Sequence, residues 1–87
     1  MTGAAAARPA ARVSVLSTRG CHLCEQAAAV VARIATEMGV TWEYLDITDD
    51  PALMADYAEQ VPVIMVDGSP LDYWRVDEAR LRSALSG

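Results

Sequence analysis

The chain contains no lysine, one histidine and only two cysteines. Seven arginines stand against twelve aspartates and glutamates, for a formal net charge of -5. A surplus of positive charge is therefore missing. With it goes the basic surface that nucleic-acid phosphates or an anionic membrane face require. Long apolar runs are missing too, since none approaches the ~20 residues of a membrane span. The opening segment, "MTGAAAARPAARVSVLS", is interrupted by Arg8, Pro9 and Arg12 before an export-type apolar region forms. The expected compartment is the cytoplasm, where reducing conditions disfavour a purely structural disulfide. The single histidine, His22, lies between the two cysteines. One chain therefore cannot complete a four-ligand zinc site from nitrogen and sulfur.

What is present is one small domain. Of the 87 residues, 53% are hydrophobic, enough for a core although alanine supplies much of that share. A chain this short buries only about 60% of its unfolded surface, so its core must be efficient. Residues 1–11 read as a disordered alanine-rich tail and 12–87 as the domain.

"RVSVLS" (12–17) is a short β-branched strand, broken by "TRG". Apolar residues then recur at Cys24, Ala27 or Ala28, Val31, Ile34 or Ala35, and Met38. That spacing predicts a helix with one buried stripe, stopped by Gly39 in a left-handed C′ position. "VTWEYLDI" (40–47) reads as a second strand. Asp50 can cap a second helix with Pro51 in its first position, running to about Glu59. "VPVIMV" (61–66) suits a strand buried on both faces. Asp67-Gly68 signals a turn, expected to be longer than two residues because Ser69 and Pro70 follow, with "PLDYW" as the returning strand. Asp77 can cap a last helix, with Val76 and Leu81 placed as a hydrophobic staple. The order is β-α-β-α-β-β-α, an α/β fold whose first crossover is right-handed and joins parallel strands.

Four readings of "GCHLC" compete. A stabilising bridge closes too short a loop to remove much unfolded-state entropy. A metal or iron–sulfur centre needs a second copy of the chain to supply further thiolates. Buried inert cysteines suit Cys24, which begins the apolar stripe, but not Cys21, which precedes it. The redox reading fits both. At a helix start, unpaired N–H groups and the positive end of the helix dipole stabilise a thiolate on Cys21. Cys24, one turn on, can then close the disulfide and release a bound substrate. A Cys-x-x-Cys pair after the first strand of a β-α-β unit is a thioredoxin-like signature.

With "GCHLC" and "VPVIMVDG" together, the sequence resembles the glutaredoxins over about residues 12 to 86. It is most similar to small bacterial glutaredoxin-like proteins with Gly-Cys-x-x-Cys and a helix start like "RVDEARL". The resemblance implies a thioredoxin-like three-layer sandwich. Its four-stranded mixed sheet has order 2-1-3-4, with helices one and three on one face and helix two on the other. It implies a thiol–disulfide oxidoreductase in which Cys21 attacks and Cys24 resolves. Val61-Pro62 would be a cis peptide whose Val61 backbone pairs with the bound thiol substrate, and Asp77 would hold a glutamyl end.

The chain departs from that family where glutathione binds. Thr18 stands at the usual lysine position with Arg19 beside it, and Glu59 stands where a basic residue or glutamine is usual. Exposed His22 is either simply solvated or, when protonated, a stabiliser of the Cys21 thiolate. Expected substrate-binding residues are thus Arg19, His22, Val61, Pro62 and Asp77, with no metal and no resident cofactor. Glutathione is expected to be at most a weak co-substrate. Expected partners are a disulfide-containing protein or small thiol and a thiol reductant, with the chain a monomer. The rival classes are a cluster-carrying dimer and a catalytically silent interaction domain. Trp42, Tyr44, Tyr57 and Tyr73 are expected in the core or on the sheet surface, and Trp74 near the loop that carries Asp77.

Overall fold

The strand Val13–Ser17 (β1) is buried at all five residues, which only a central strand with both faces covered allows. The computed structural model describes residues 11–86. The expected tail, save for Ala11, lies outside the described residues. β1 pairs in parallel with β2 (Trp42–Asp46) and antiparallel with β3 (Val63–Val66), and β3 pairs antiparallel with β4 (Ser69–Tyr73). The sheet order is β2-β1-β3-β4, the thioredoxin arrangement. The strands are shorter than the apolar runs suggest: Val40 and Thr41 precede β2, and Val61 and Pro62 lead into β3.

Alternation along the strands feeds two cores. Val13, Val15, Ile64 and Val66 face the long helix α1 (His22–Met38) and α3 (Glu78–Ser86), meeting Val31, Ile34, Leu81 and Leu85. Leu16, Val63 and Ile47 face the other way, against Leu53, Met54 and Tyr57 of α2 (Pro51–Tyr57). Each fully buried Leu, Ile or Val contributes about 1.5–3 kcal/mol through area removed from water. The layers are therefore α1 and α3, sheet, and α2.

Capping chemistry sets the helix limits. Asp50 Oδ1 accepts from the Leu53 amide at 3.1 Å, with Pro51 in the first turn. Asp77 Oδ1 accepts from the Arg80 amide at 3.0 Å. Behind this cap, half-buried Val76 packs on the cluster that holds Leu81, as a staple requires. α2 ends at Tyr57, one half-turn before the expected Glu59.

The β3–β4 turn corrects the sequence reading. Val66 pairs with Ser69, so the loop is only Asp67-Gly68. Both have positive φ, 52° and 85°, the type I′ pattern that matches strand twist. Pro70 sits inside β4 instead of in the turn. It is tolerated there because β4 is an edge strand, where a missing N–H leaves no ladder bond unmade. The register shifts just beyond it, between Ile64 and Met65, where Leu71 has no partner.

Candidate active site

The register gathers several chain segments at one end of the sheet. Leu16 lies opposite Val63 and Ser17 opposite Asp46, while Val63 also pairs with Tyr73. The cysteine loop after β1, the "DITDD" loop after β2, Val61-Pro62 before β3 and Trp74 after β4 therefore share that end.

Gly20 turns the chain into α1 with φ 76°, a left-handed value that favours glycine. Cys21 follows as the N-cap, in extended geometry at φ -91° and ψ 102°. N-caps are normally side-chain oxygens accepting from the amide three residues on. Here the Cys24 amide donates to Cys21 Sγ at 3.1 Å. Sulfur thus occupies the position where the helix end supplies an N–H and a positive dipole. The two cysteines are joined as a disulfide with Cα atoms 5.3 Å apart. Cys21 is half-buried, whereas Cys24 is fully buried and faces the helix stripe. This asymmetry leaves the Cys21 sulfur nearer solvent and shields that of Cys24.

The Val61-Pro62 peptide is cis, as the resemblance implied. Pro62 is fully buried and Val61 half-buried. The Trp74 amide donates to Pro62 O at 2.8 Å, tying the loop after β4 to the proline turn. The Trp74 indole N–H donates to Glu59 O at 3.1 Å. Trp74 itself has φ 71°. A bulky residue in that region costs of order 1–3 kcal/mol and persists only when its surroundings hold it.

The remaining sequence-predicted residues are placed unevenly. His22 is exposed at the first position of α1. Asp77 caps α3, and its amide donates to Asp72 Oδ2 at 3.1 Å. Arg19 is 62% exposed but engaged: its Nε lies 3.6 Å from Asp46 Oδ2 and its Nη2 pairs with Asp49. Its amide donates to the Thr48 hydroxyl at 3.1 Å. The Thr48 hydroxyl donates to Asp46 Oδ1 at 2.6 Å, and its amide at 2.9 Å. These bonds, with the Arg19 charge, hold the Asp46 carboxyl below its ordinary value of 3.8. Arg19, which stands beside the position of the absent lysine, thus faces two carboxylates of its own chain.

Sequence reasoning missed Asp46 and Asp49, because their link to Arg19 spans almost 30 residues of chain. It also missed Leu23, which lies off the buried stripe and is 56% exposed. The signal was present: Leu23 and Val30 stand four before and three after the stripe residue Ala27, widening the apolar face of the helix to one side. Trp74, placed near the Asp77 loop by sequence, meets that face across a groove. Among the described residues, no helix is long and apolar enough to cross a membrane.

Known proteins share both the fold and the sequence pattern. The uncharacterized protein Rv0508 of Mycobacterium tuberculosis is 32% identical over 80 residues, covering 86% of this chain and 82% of its own. The crystal structure of protein XcR50 from X. campestris superimposes with a TM-score of 0.68 at 32% identity, covering 85% of this chain and 95% of that one. Thioredoxin from Fasciola hepatica has a TM-score of 0.58 at 23% identity, covering 91% and 81%, which shows the shared fold alone. Residues 12–86 match the family described as Glutaredoxin-like domain (DUF836). A thioredoxin fold carrying a cysteine pair at disulfide distance on a helix start fits a thiol redox role, and the chain belongs to this glutaredoxin-like family.

Proposed function

We propose that the protein is a thiol–disulfide oxidoreductase acting on protein or low-molecular-weight disulfides in a reducing compartment. The observation that carries the reading is the Cys21 sulfur in the N-cap position, 3.1 Å from the Cys24 amide, with Cys24 buried behind it.

In the reduced protein the Cys21 thiolate attacks one sulfur of the substrate disulfide. That S–S bond breaks, one substrate thiolate leaves and takes a proton, and Cys21 is joined to the other half. Cys24 then loses its proton and attacks Cys21 Sγ. The second substrate thiol leaves, and the Cys21–Cys24 disulfide holds the oxidising equivalents. Two electrons have passed to the substrate, and an external thiol reductant restores the pair. Val61 offers its backbone and Pro62 shapes the docking edge. His22 borders the attacking sulfur, and Asp77 stands at the α3 start.

Glutathione is a poor partner in this scheme. Its terminal carboxylates call for cations, whereas Arg19 is engaged by Asp46 and Asp49 and Glu59 adds a like charge. The test is turnover of a small disulfide coupled to dithiothreitol, with Cys21→Ser and Cys24→Ser. Cys21→Ser abolishes turnover, and Cys24→Ser accumulates a mixed disulfide on Cys21. Full activity of Cys21→Ser contradicts the proposal. An absorption band formed on anaerobic addition of iron and sulfide, without disulfide turnover, replaces it with a cluster carrier.

A further inference from the structure

Trp74 stands out from its surroundings in two ways. Its φ of 71° is a left-handed value that a bulky side chain rarely takes. Its side chain is also 59% exposed, so burial alone does not hold it there. Outliers of this kind persist where surrounding bonds over-determine them, and they gather at functional sites. Here both N–H groups of the residue engage one short segment. The main-chain N–H donates to Pro62 O at 2.8 Å and the indole N–H to Glu59 O at 3.1 Å. Residues Glu59 and Pro62 are thus clamped together from beyond β4.

Between them lie Gln60 and Val61. The segment 58–62 joins α2 to β3, and its other bonds are local. The Ala58 amide donates to Met54 O at 3.1 Å and the Gln60 amide to Tyr57 O at 2.8 Å. Among the described residues, Trp74 supplies the segment's only hydrogen bonds from a distant part of the chain. The main-chain N–H and C=O of half-buried Val61 have no partner among the described residues. A free donor and acceptor on one residue suit an extended peptide backbone. They bind it without a further ordering cost only where the segment is already held still.

We propose that Trp74 is a positioning residue: its indole N–H, through Glu59 O, fixes the free Val61 backbone so that a polypeptide disulfide aligns with Cys21. The assignment rests on the oxidoreductase reading and adds the residue that makes polypeptide disulfides better substrates than small ones. Trp74 takes no part in the exchange itself, whose bonds and electrons balance as given above.

The experiment compares two disulfides on the reduced protein. One is a disulfide-closed peptide, whose backbone can pair with Val61; the other is 2-hydroxyethyl disulfide, which has no amide. The ratio of their second-order rate constants cancels losses of folded protein and changes in the Cys21 thiolate. Trp74→Phe keeps an aromatic ring and removes the indole N–H. It lowers the peptide/hydroxyethyl ratio by about 2- to 12-fold, the worth of one neutral hydrogen bond, and quickens exchange of the Gln60 amide. Trp74→Gly takes the left-handed φ without strain and keeps the main-chain bond, yet lowers the ratio at least as far. Trp42→Phe removes the chain's other indole N–H and leaves the ratio unchanged.

A merely structural role slows both disulfides together and leaves their ratio where it was. That result, an equal loss in Trp42→Phe, or a Gln60 amide that exchanges as before overturns the proposal. The unaltered protein separates this failure from that of the enzymatic reading. If iodoacetamide labels Cys21 but neither disulfide exchanges, the oxidoreductase reading falls and the positioning role with it. If both disulfides exchange and no Trp74 variant moves the ratio, the positioning role alone falls.

Discussion

Freeing Arg19 from its own chain is expected to improve glutathione as a substrate. Arg19 touches Asp46 at 3.6 Å and pairs with Asp49, and these groups are 62%, 45% and 82% exposed. They are surface contacts, each shifting an equilibrium by about 1.4- to 5-fold. In Asp46→Asn/Asp49→Asn both contacts weaken and two like charges leave the approach path of an anionic tripeptide. If the two effects multiply, glutathione-dependent kcat/KM rises by about 2- to 25-fold at low ionic strength. The gain resides in KM, since neither aspartate touches the sulfurs. It also shrinks in ~1 M salt, where the Debye length falls from ~10 Å at 0.1 M to ~3 Å. The assay is glutathione-dependent reduction of a mixed disulfide, run for the parent protein, the double variant, and each with Arg19→Ala added. Arg19→Ala alone changes little, and in the double variant it removes the part of the gain that the freed Arg19 supplies, leaving only the part due to the two lost carboxylates. Rapid glutathione turnover by the parent, lost on Arg19→Ala, refutes the reasoning by showing that Arg19 already serves as the anchor.

Leu81→Ala is expected to cost about 2–5 kcal/mol in urea unfolding, since Leu81 is fully buried and is one of only two buried residues of α3. A cost below about 1 kcal/mol means that α3 is held by something other than this core. Stability also falls in acid. Glu37, beside Arg82, and Asp67, beside Arg12, titrate below their ordinary values of 4.5 and 3.8, as does Asp46 beside Thr48. The folded state binds fewer protons than the unfolded state there. Their contribution is therefore present above those values and lost as pH falls through the lower folded ones. Urea midpoints at pH 6 and pH 3, with and without 0.5 M salt, check this: an unchanged midpoint contradicts it. Gly20→Ala should destabilise the cysteine loop, because φ 76° strains a residue with a Cβ although space surrounds it. Its melting temperature should fall below that of the unaltered protein, and no fall would show that the loop relaxes freely.

The layers were legible because burial imposes periods that survive in sequence. The stripe from Cys24 to Met38 is α1's inner face, and the continuous run after Pro62 is a strand covered on both sides. The caps at Asp50 and Asp77 were legible because side chain and amide lie three residues apart. The β3–β4 turn was misjudged because Pro70 resembles a turn residue until its edge position is known. The site was half legible. Cys21, Cys24 and Pro62 lie in short local motifs, whereas the Arg19 pairs and the Leu23–Trp74 groove join segments far apart in sequence. Only the sheet register brings those together.

The most direct test of the central claim is thiol labelling of the reduced protein. Iodoacetamide is applied across a pH series and each cysteine is followed by peptide mapping. The N-cap position of Cys21 and the burial of Cys24 predict that Cys21 is labelled first, faster than free cysteine below pH 7, while Cys24 stays protected until the protein unfolds. Labelling of Cys24 before Cys21, or of Cys21 no faster than free cysteine, contradicts the account.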